Sequence, residues 1–108
     1  MFFNGFTVLF LKQLYFGIGL TLPILLVLAF AIVTIGLFVG KGEGWSRFDS
    51  LYWAFITATT VGYGDFRPTK RRSRVLAILT GFLGLMLSGI IVAVAIEATI
   101  KALESIPR

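Results

Sequence analysis

Charged residues are missing from two long stretches of this chain and crowd into the segment between them. Ile18 to Val39 and Val75 to Ile96 are each 22 residues without an acid or a base. At 1.5 Å per residue each run, as a helix, covers roughly 33 Å, enough to cross a bilayer with some tilt. Two buried core helices would give the same pattern, but they need a polar remainder to surround them. The chain has none, since 57% of its 108 residues are hydrophobic and only 14% are charged. Two membrane spans are therefore expected, with Pro23 early in the first, where a neighbouring turn can absorb the lost hydrogen bond.

Polarity divides the residues between the spans into pieces. "GKGEGWSR" reads as a Gly-rich charged turn. "FDSLYWAFITAT" reads as a short helix, with Asp49 or Ser50 as N-cap and too few residues to cross a membrane. A glycine loop follows, then the basic stretch "RPTKRRSR", in which Pro68 stops any helix. Span, half-helix, glycine loop, span is the order of a re-entrant hairpin. Non-helical backbone at membrane depth is tolerated only where protein or water satisfies it, so "TTVGYGD" is expected to line a water-filled path.

The expected organisation is a single domain over 1–108: an N-terminal interfacial segment 1–17, an outer helix 18–40, a short helix 49–59, a loop 60–65 and an inner helix 75–101. Segment 1–17 carries one charge, Lys12. Its Phe, Leu and Tyr positions suit a helix lying in the membrane interface, and simple extension of the first span is the alternative. It has neither a basic start nor a small-residue cleavage site, so it is expected to be retained. The tail "IKALESIPR" is too short to fold alone.

The chain has no cysteine and no histidine. That removes thiol chemistry, disulfides and His-based zinc or catalytic sets, so neither an enzyme nor a cofactor is expected. Gly62 and Gly64, one residue apart, permit left-handed backbone that other residues resist. The carbonyls of Thr60, Val61, Gly62 and Tyr63 can then face one way, with the Thr60 hydroxyl adding an oxygen at the inner end. Val61 and Tyr63 would face away and pack behind the loop. Several copies around an axis would stack these oxygens into rings that replace the hydration shell of a monovalent cation. One chain supplies only one strand of such a cage, so an oligomer is required.

"TTVGYGD", after a short aromatic helix and between two apolar spans, resembles the selectivity-filter signature of potassium channels. The chain from about Ile18 to Ala102 resembles their two-transmembrane pore module. The resemblance implies an all-α membrane protein, with two transmembrane helices flanking a re-entrant pore helix and a selectivity-filter loop, assembled as a homotetramer. It implies passive conduction, a filter of Thr60, Val61, Gly62, Tyr63 and Gly64, and K+ held at Thr60, Val61, Gly62 and Tyr63 as the permeant ion. Trp53 stands where the family has an aromatic that can hydrogen-bond the filter tyrosine, here Tyr63. The Tyr52 hydroxyl could reach Asp65, and simple packing of both aromatics is the alternative. Ile56 replaces a glutamate found behind the filter in some bacterial members, so inactivation through a buried carboxyl pair is expected to be absent.

Glycine costs about 1 kcal/mol inside a helix, so Gly81, Gly84 and Gly89 in the second span need a reason. Gly84 aligns with the family's gating hinge, whereas close helix packing is preferred for the other two. Leu85, Ser88 and Val92 follow at helical spacing and are expected to face the cavity. Glu97 would lie near the inner mouth, attracting cations, or pair with Lys101 at i,i+4.

Charge in the linker complicates orientation. Lys41, Arg47, Arg67, Lys70, Arg71, Arg72 and Arg74 face only three acids there. By the positive-inside rule this end would be cytoplasmic, opposite to the family's topology, and the filter resemblance is followed instead. Arg67 then falls at the outer mouth, where it would repel cations or turn aside to pair with an acid. The expected setting is a cell membrane, crossed more than once, in a prokaryote. Partners are further copies of the chain, K+, the bilayer and a regulatory domain or subunit; no nucleic acid is expected. Two other readings remain, a weakly selective Na+/K+ cation channel and a non-conducting membrane scaffold or regulatory subunit.

Overall fold

The computed structural model describes residues 2–106, and every regular element among them is an α-helix. Helix α1 spans Phe2–Glu43, α2 spans Arg47–Ala58 and α3 spans Arg71–Glu104. All three differ from the expected bounds for local reasons.

Helix α1 has 42 residues, about twice the number that crosses a hydrocarbon core. The segment expected to stand apart over 1–17 is instead continuous with the outer helix; its Met1 lies outside the described residues. No capping residue interrupts the run, and Pro23 sits inside the helix. At its other end α1 passes position 40 and closes at Gly44, whose φ of 81° is the left-handed turn that ends helices. The Trp45 N–H then donates to the Gly40 carbonyl at 2.8 Å, satisfying one of the last free acceptors.

Helix α2 starts two residues before the expected Asp49. Its N-cap is Ser46, in extended conformation, whose side-chain oxygen accepts from the Asp49 N–H at 3.1 Å. Asp49 thus sits in the first turn, where its charge complements the helix dipole. Ser50, the other expected cap, is buried and donates its hydroxyl to the Ser46 carbonyl at 2.7 Å.

Helix α3 starts at Arg71 rather than 75, right after Pro68-Thr69-Lys70, and has no acid in its first turn. Glu43 supplies the missing anion from the end of α1. Its carboxylate accepts from the Thr69 N–H at 3.0 Å, the Thr69 hydroxyl at 2.8 Å and the Lys70 N–H at 3.1 Å.

Packing separates the chain into two compact units, one of Leu26–Ser88 and one joining α1 up to Leu25 with α3 from Gly89. In the first, Ile32 and Val39 of α1 meet Trp53, Ala54 and Ala58 of α2 in a core flanked by Ile35, Trp45, Phe66, Leu76, Ala77, Leu83 and Leu87. Small residues let the backbones approach, and a Cβ added at Gly40 would overlap the Ser50 side chain. In the second unit Leu25, Ala98 and Ala102 are buried, and Gly17 lies against Val94.

Most large apolar side chains on α1 and α3 face outward, Tyr15 at 86% exposure and Phe30 at 72% among them. Only 28% and 11% of the most apolar windows of the two long helices are buried. Core helices of a self-contained soluble domain would be covered, so these helices are membrane spans.

Candidate functional site

The loop after α2 is positioned by its amides. The Thr60 N–H donates to the Thr57 carbonyl at 3.1 Å, and the Val61 and Gly62 N–H groups both reach the Ile56 carbonyl, at 3.0 and 3.2 Å. These bonds use carbonyls that the end of α2 would otherwise leave unpaired. Across a trans peptide plane the C=O points opposite to the following N–H, and no peptide here is cis. The carbonyls of Thr59, Thr60 and Val61 therefore point away from α2.

Backbone conformation alternates along the same stretch. Thr60, Gly62 and Gly64 have φ of 64°, 56° and 81°, while Val61 and Tyr63 between them do not have positive φ. Alternating left- and right-handed residues bring successive carbonyls to one side of a strand, much as they gather successive amides into an anion nest. Thr60 is the sole non-glycine with positive φ among the described residues, a costly conformation for a β-branched residue. Its hydroxyl donates to the Thr59 carbonyl at 2.6 Å, which leaves the hydroxyl lone pairs as acceptors. The result is a column of oxygens in which no donor among the described residues is bonded to the Thr60, Val61, Gly62 or Tyr63 carbonyls. The C-terminal, negative end of the α2 dipole adds to the attraction for a cation there.

An aromatic cuff stands behind the loop. Trp45 packs against Trp53 with the rings tilted at 53° and centroids 5.6 Å apart, meets Phe66 edge-on at 5.4 Å, and Tyr52 meets Phe66 edge-on at 6.1 Å. The Tyr52 hydroxyl also hydrogen-bonds Asp65, the largest reason its pKa is raised above the usual phenol value. Asp65 accepts as well from the Phe66 N–H at 3.2 Å. Trp53 is buried against Trp45, so its contact in this chain is packing rather than a bond to Tyr63. Val61 and Tyr63, expected to pack behind the loop, are 49% and 70% exposed.

Arg67 pairs with no acid among the described residues. Its Nε donates to the Gly64 carbonyl at 3.0 Å, holding a positive charge beside the last residue of the column. Glu43, which sequence reasoning did not single out, anchors the far side of the same linker. It lies beyond the apolar run 18–39, and the Thr69 N–H above all, with the Thr69 hydroxyl and the Lys70 N–H, holds its carboxyl at about 2 against the opposing effect of desolvation.

Along α3, Gly84 is buried and a Cβ there would overlap the backbone of Ala58, so this glycine fits the inner helix against the end of α2. A Cβ at Gly81 or Gly89 would meet nothing within 4 Å, so neither glycine serves packing within the chain. Leu85 and Val92 are exposed, at 56% and 55%, and Ser88 is half-buried. Glu97 pairs with Lys101 at 3.8 Å, and both line a groove of about 160 Å³ with Gln13, Phe16 and Leu20. Glu97 is five positions past Val92, about 140° round the helix, and so lies off the face that Val92 occupies.

An all-α span–half-helix–loop–span chain whose loop offers a carbonyl column is the architecture of an ion-channel pore. Comparison with known proteins agrees. A family described as "Ion channel" matches residues 21–101. The chain belongs to this family, the two-transmembrane-helix potassium-channel pores to which its filter motif points. It is 43% identical over 70 residues to the TWiK family of potassium channels protein 7 of Caenorhabditis elegans, covering 62% of this chain and 13% of that one. Two-pore potassium channel 1 of Arabidopsis thaliana is 38% identical over 58 residues, 54% of this chain and 16% of the other. A voltage-gated potassium channel of Aeropyrum pernix is 51% identical over 45 residues, 39% and 15% of the two chains. The chain thus spans well under a fifth of the length of these relatives. No solved structure matches it.

Proposed function

We propose that the protein is a potassium-selective channel pore, a homotetramer that conducts K+ passively through a filter of backbone carbonyls and is gated at the inner helices. The observation that carries this reading is the filter backbone, with amides of Thr60, Val61 and Gly62 tied to α2 and left-handed conformation at 60, 62 and 64. Four copies would convert four such strands into rings at Thr60, Val61, Gly62 and Tyr63 that substitute for water around K+ without a net charge to trap it. The names of the relatives, all potassium channels, support the choice of ion.

The exposure of Val61 and Tyr63 also supports assembly, because neighbouring copies would cover what their own chain leaves open. The conduction path involves no covalent chemistry and no cofactor beyond the permeant ion. Gly84 serves as the hinge in this reading, Leu85, Ser88 and Val92 line the cavity, Glu97 stands near its inner mouth, and a regulatory domain or subunit sets the gate. The filter end faces outward, in the plasma membrane of a prokaryote.

Flux into liposomes containing the purified protein tests the proposal. K+ uptake that is lost when Na+ replaces K+ and is abolished by Ba2+ is the expected result. Equal flux of the two ions would move the assignment to a weakly selective cation channel. No flux from a protein that is not tetrameric would move it to a scaffold. Arg67 adds a finer expectation: its charge beside Gly64 should make external tetraethylammonium a weak blocker, and Arg67→Tyr should strengthen the block. Sub-millimolar block of the unaltered protein would contradict that placement.

A further inference from the structure

Away from the filter, both uncharged runs end at the same groove. Its volume is about 160 Å³, and its walls come from one compact unit, with Gln13, Phe16, Leu20 and Thr21 on α1 facing Val94, Glu97 and Lys101 on α3. The runs stop on this side at Ile18 and Ile96, so Leu20, Thr21 and Val94 stand at hydrocarbon depth, and Gln13, Glu97 and Lys101 at headgroup depth. Tyr15, highly exposed beside the groove, is an amphipathic ring of the kind that settles at that boundary.

The polar groups of the groove have spare capacity. Glu97 and Lys101 are each other's sole side-chain partner among the described residues, and a loose exposed pair of this kind is opened cheaply. The half-buried Gln13 amide has no hydrogen bond among those residues, while the Thr21 hydroxyl already donates to the Gly17 carbonyl at 3.0 Å. An occupant therefore meets one anion, one cation and one free amide above an apolar wall. A purely apolar molecule would leave all three unused. An anionic head would meet Glu97, and a cationic head would meet Lys101. A head that carries both charges satisfies both. We propose that this groove binds a phospholipid with a zwitterionic primary-amine head, phosphatidylethanolamine. Its ammonium lies on the Glu97 carboxylate, its phosphodiester on Lys101 and the Gln13 amide, and an acyl chain runs along Phe16, Leu20 and Val94. The primary ammonium donates hydrogen bonds to a carboxylate, which the quaternary ammonium of choline lacks the protons to do.

Native mass spectrometry of the full chain, extracted from an equimolar mixture of phosphatidylethanolamine, phosphatidylcholine and phosphatidylglycerol with identical acyl chains, tests the proposal without reference to conduction. The unaltered protein should retain phosphatidylethanolamine over each of the others by roughly fivefold, the upper range for one exposed ion pair. Glu97→Gln should bring the ratio to phosphatidylcholine close to one and put phosphatidylglycerol first, because Lys101 is then uncompensated. Lys101→Gln should lower retention of all three lipids and keep phosphatidylethanolamine ahead of phosphatidylglycerol. Glu104→Gln, which removes an exposed acid of the same helix outside the groove, should change neither ratio. Millimolar phosphoethanolamine, the head without its chains, should not displace the lipid.

Equal retention of the three lipids by the unaltered protein overturns the proposal, and so does a preference that survives the loss of Glu97. Phosphatidylglycerol in first place on the unaltered protein would make Lys101 the only recognition group. Displacement by phosphoethanolamine would make the groove a site for a soluble zwitterion. A change in the number of copies on losing Glu97, whatever lipid is present, would make it a contact between subunits. Each of these outcomes refutes the lipid assignment. If Glu97→Gln fails to fold, Lys101→Gln decides, since unchanged retention by that variant also overturns the proposal.

Discussion

Apolar residues dominate both the filter-bearing unit and the unit of paired helix ends, but the two are held by different means. Around α2, amides, carbonyls and aromatic rings have identifiable partners within the chain, from the Ser46 cap to the Ile56 carbonyl and the Tyr52–Asp65 bond. In the other unit Leu25, Ala98 and Ala102 alone are buried among the described residues, and Tyr15, Phe16 and Leu20 face outward. The difference teaches where specification comes from. The loop amides are fixed by short hydrogen bonds within one chain, whereas the helix ends leave apolar faces that a bilayer or another protein surface must cover.

The sharpest way to break this contrast is at Gly62. Its φ of 56° costs a residue with a side chain roughly 1–2 kcal/mol, and the proposed tetramer would incur that cost four times. Gly62→Ala should abolish the preference for K+ over Na+ in liposome flux while leaving assembly intact. A variant that still prefers K+ would show that the alternating backbone is not what discriminates.

Gly84 comes next. A Cβ there meets the Ala58 backbone, and overpacking of this kind typically costs 1–3 kcal/mol. Gly84→Ala should lower the thermal unfolding midpoint, whereas Gly89→Ala, with open space around it, should stay within about 0.5 kcal/mol of the unaltered protein. An unchanged midpoint with altered gating would instead assign Gly84 to bending alone.

Glu43 sharpens the comparison through pH. Its carboxyl in the folded protein is held at about 2, below the ordinary value of 4.5. A lowered pKa contributes stability that is complete above the ordinary value and is lost as pH falls toward the folded one. The anchor should therefore be constant from pH 7 to pH 5, and flux over that range should not report its titration. Glu43→Gln should weaken the anchor at every pH, seen as faster hydrogen exchange at the Thr69 and Lys70 amides.

The parts that were legible in the sequence are those whose signal is local. Two uncharged runs gave the spans, and the Gly62 and Gly64 spacing pointed to the carbonyl column. Tyr52 was matched to Asp65, and Glu97 to Lys101, because each pairing follows from short spacing or from the family resemblance. What stayed hidden depends on partners remote in sequence. Glu43 meets Thr69 from 26 positions away, and no periodicity announces such a contact. Ser46 does not stand out as the cap in the sequence because Asp49 and Ser50 are equally good capping types; only the backbone geometry chooses among them. Gly81 and Gly89 read like packing glycines, yet a single sequence does not say which face of a uniformly apolar helix meets a neighbour.

The smallest expected effect lies in the helix-end unit, at Glu97 and Lys101. Their separation of 3.8 Å and side-chain exposures of 61% and 49% describe a loose surface pair. Such pairs contribute under about 1 kcal/mol, and less in salt. Lys101→Gln should therefore leave the unfolding midpoint almost unchanged, in contrast to Gly84→Ala. Conduction is a separate question, because Glu97 acts on permeant cations through its charge whether or not Lys101 is paired with it. If Glu97 is near the inner mouth, Glu97→Gln should lower outward K+ flux modestly, and by less as ionic strength rises. If its position off the Val92 face keeps it away from the path, flux should be the same at every salt concentration. Equal salt profiles for Glu97→Gln and the unaltered protein would place Glu97 with the groove formed by Gln13, Phe16 and Leu20, and leave the inner mouth to the uncharged face that carries Val92.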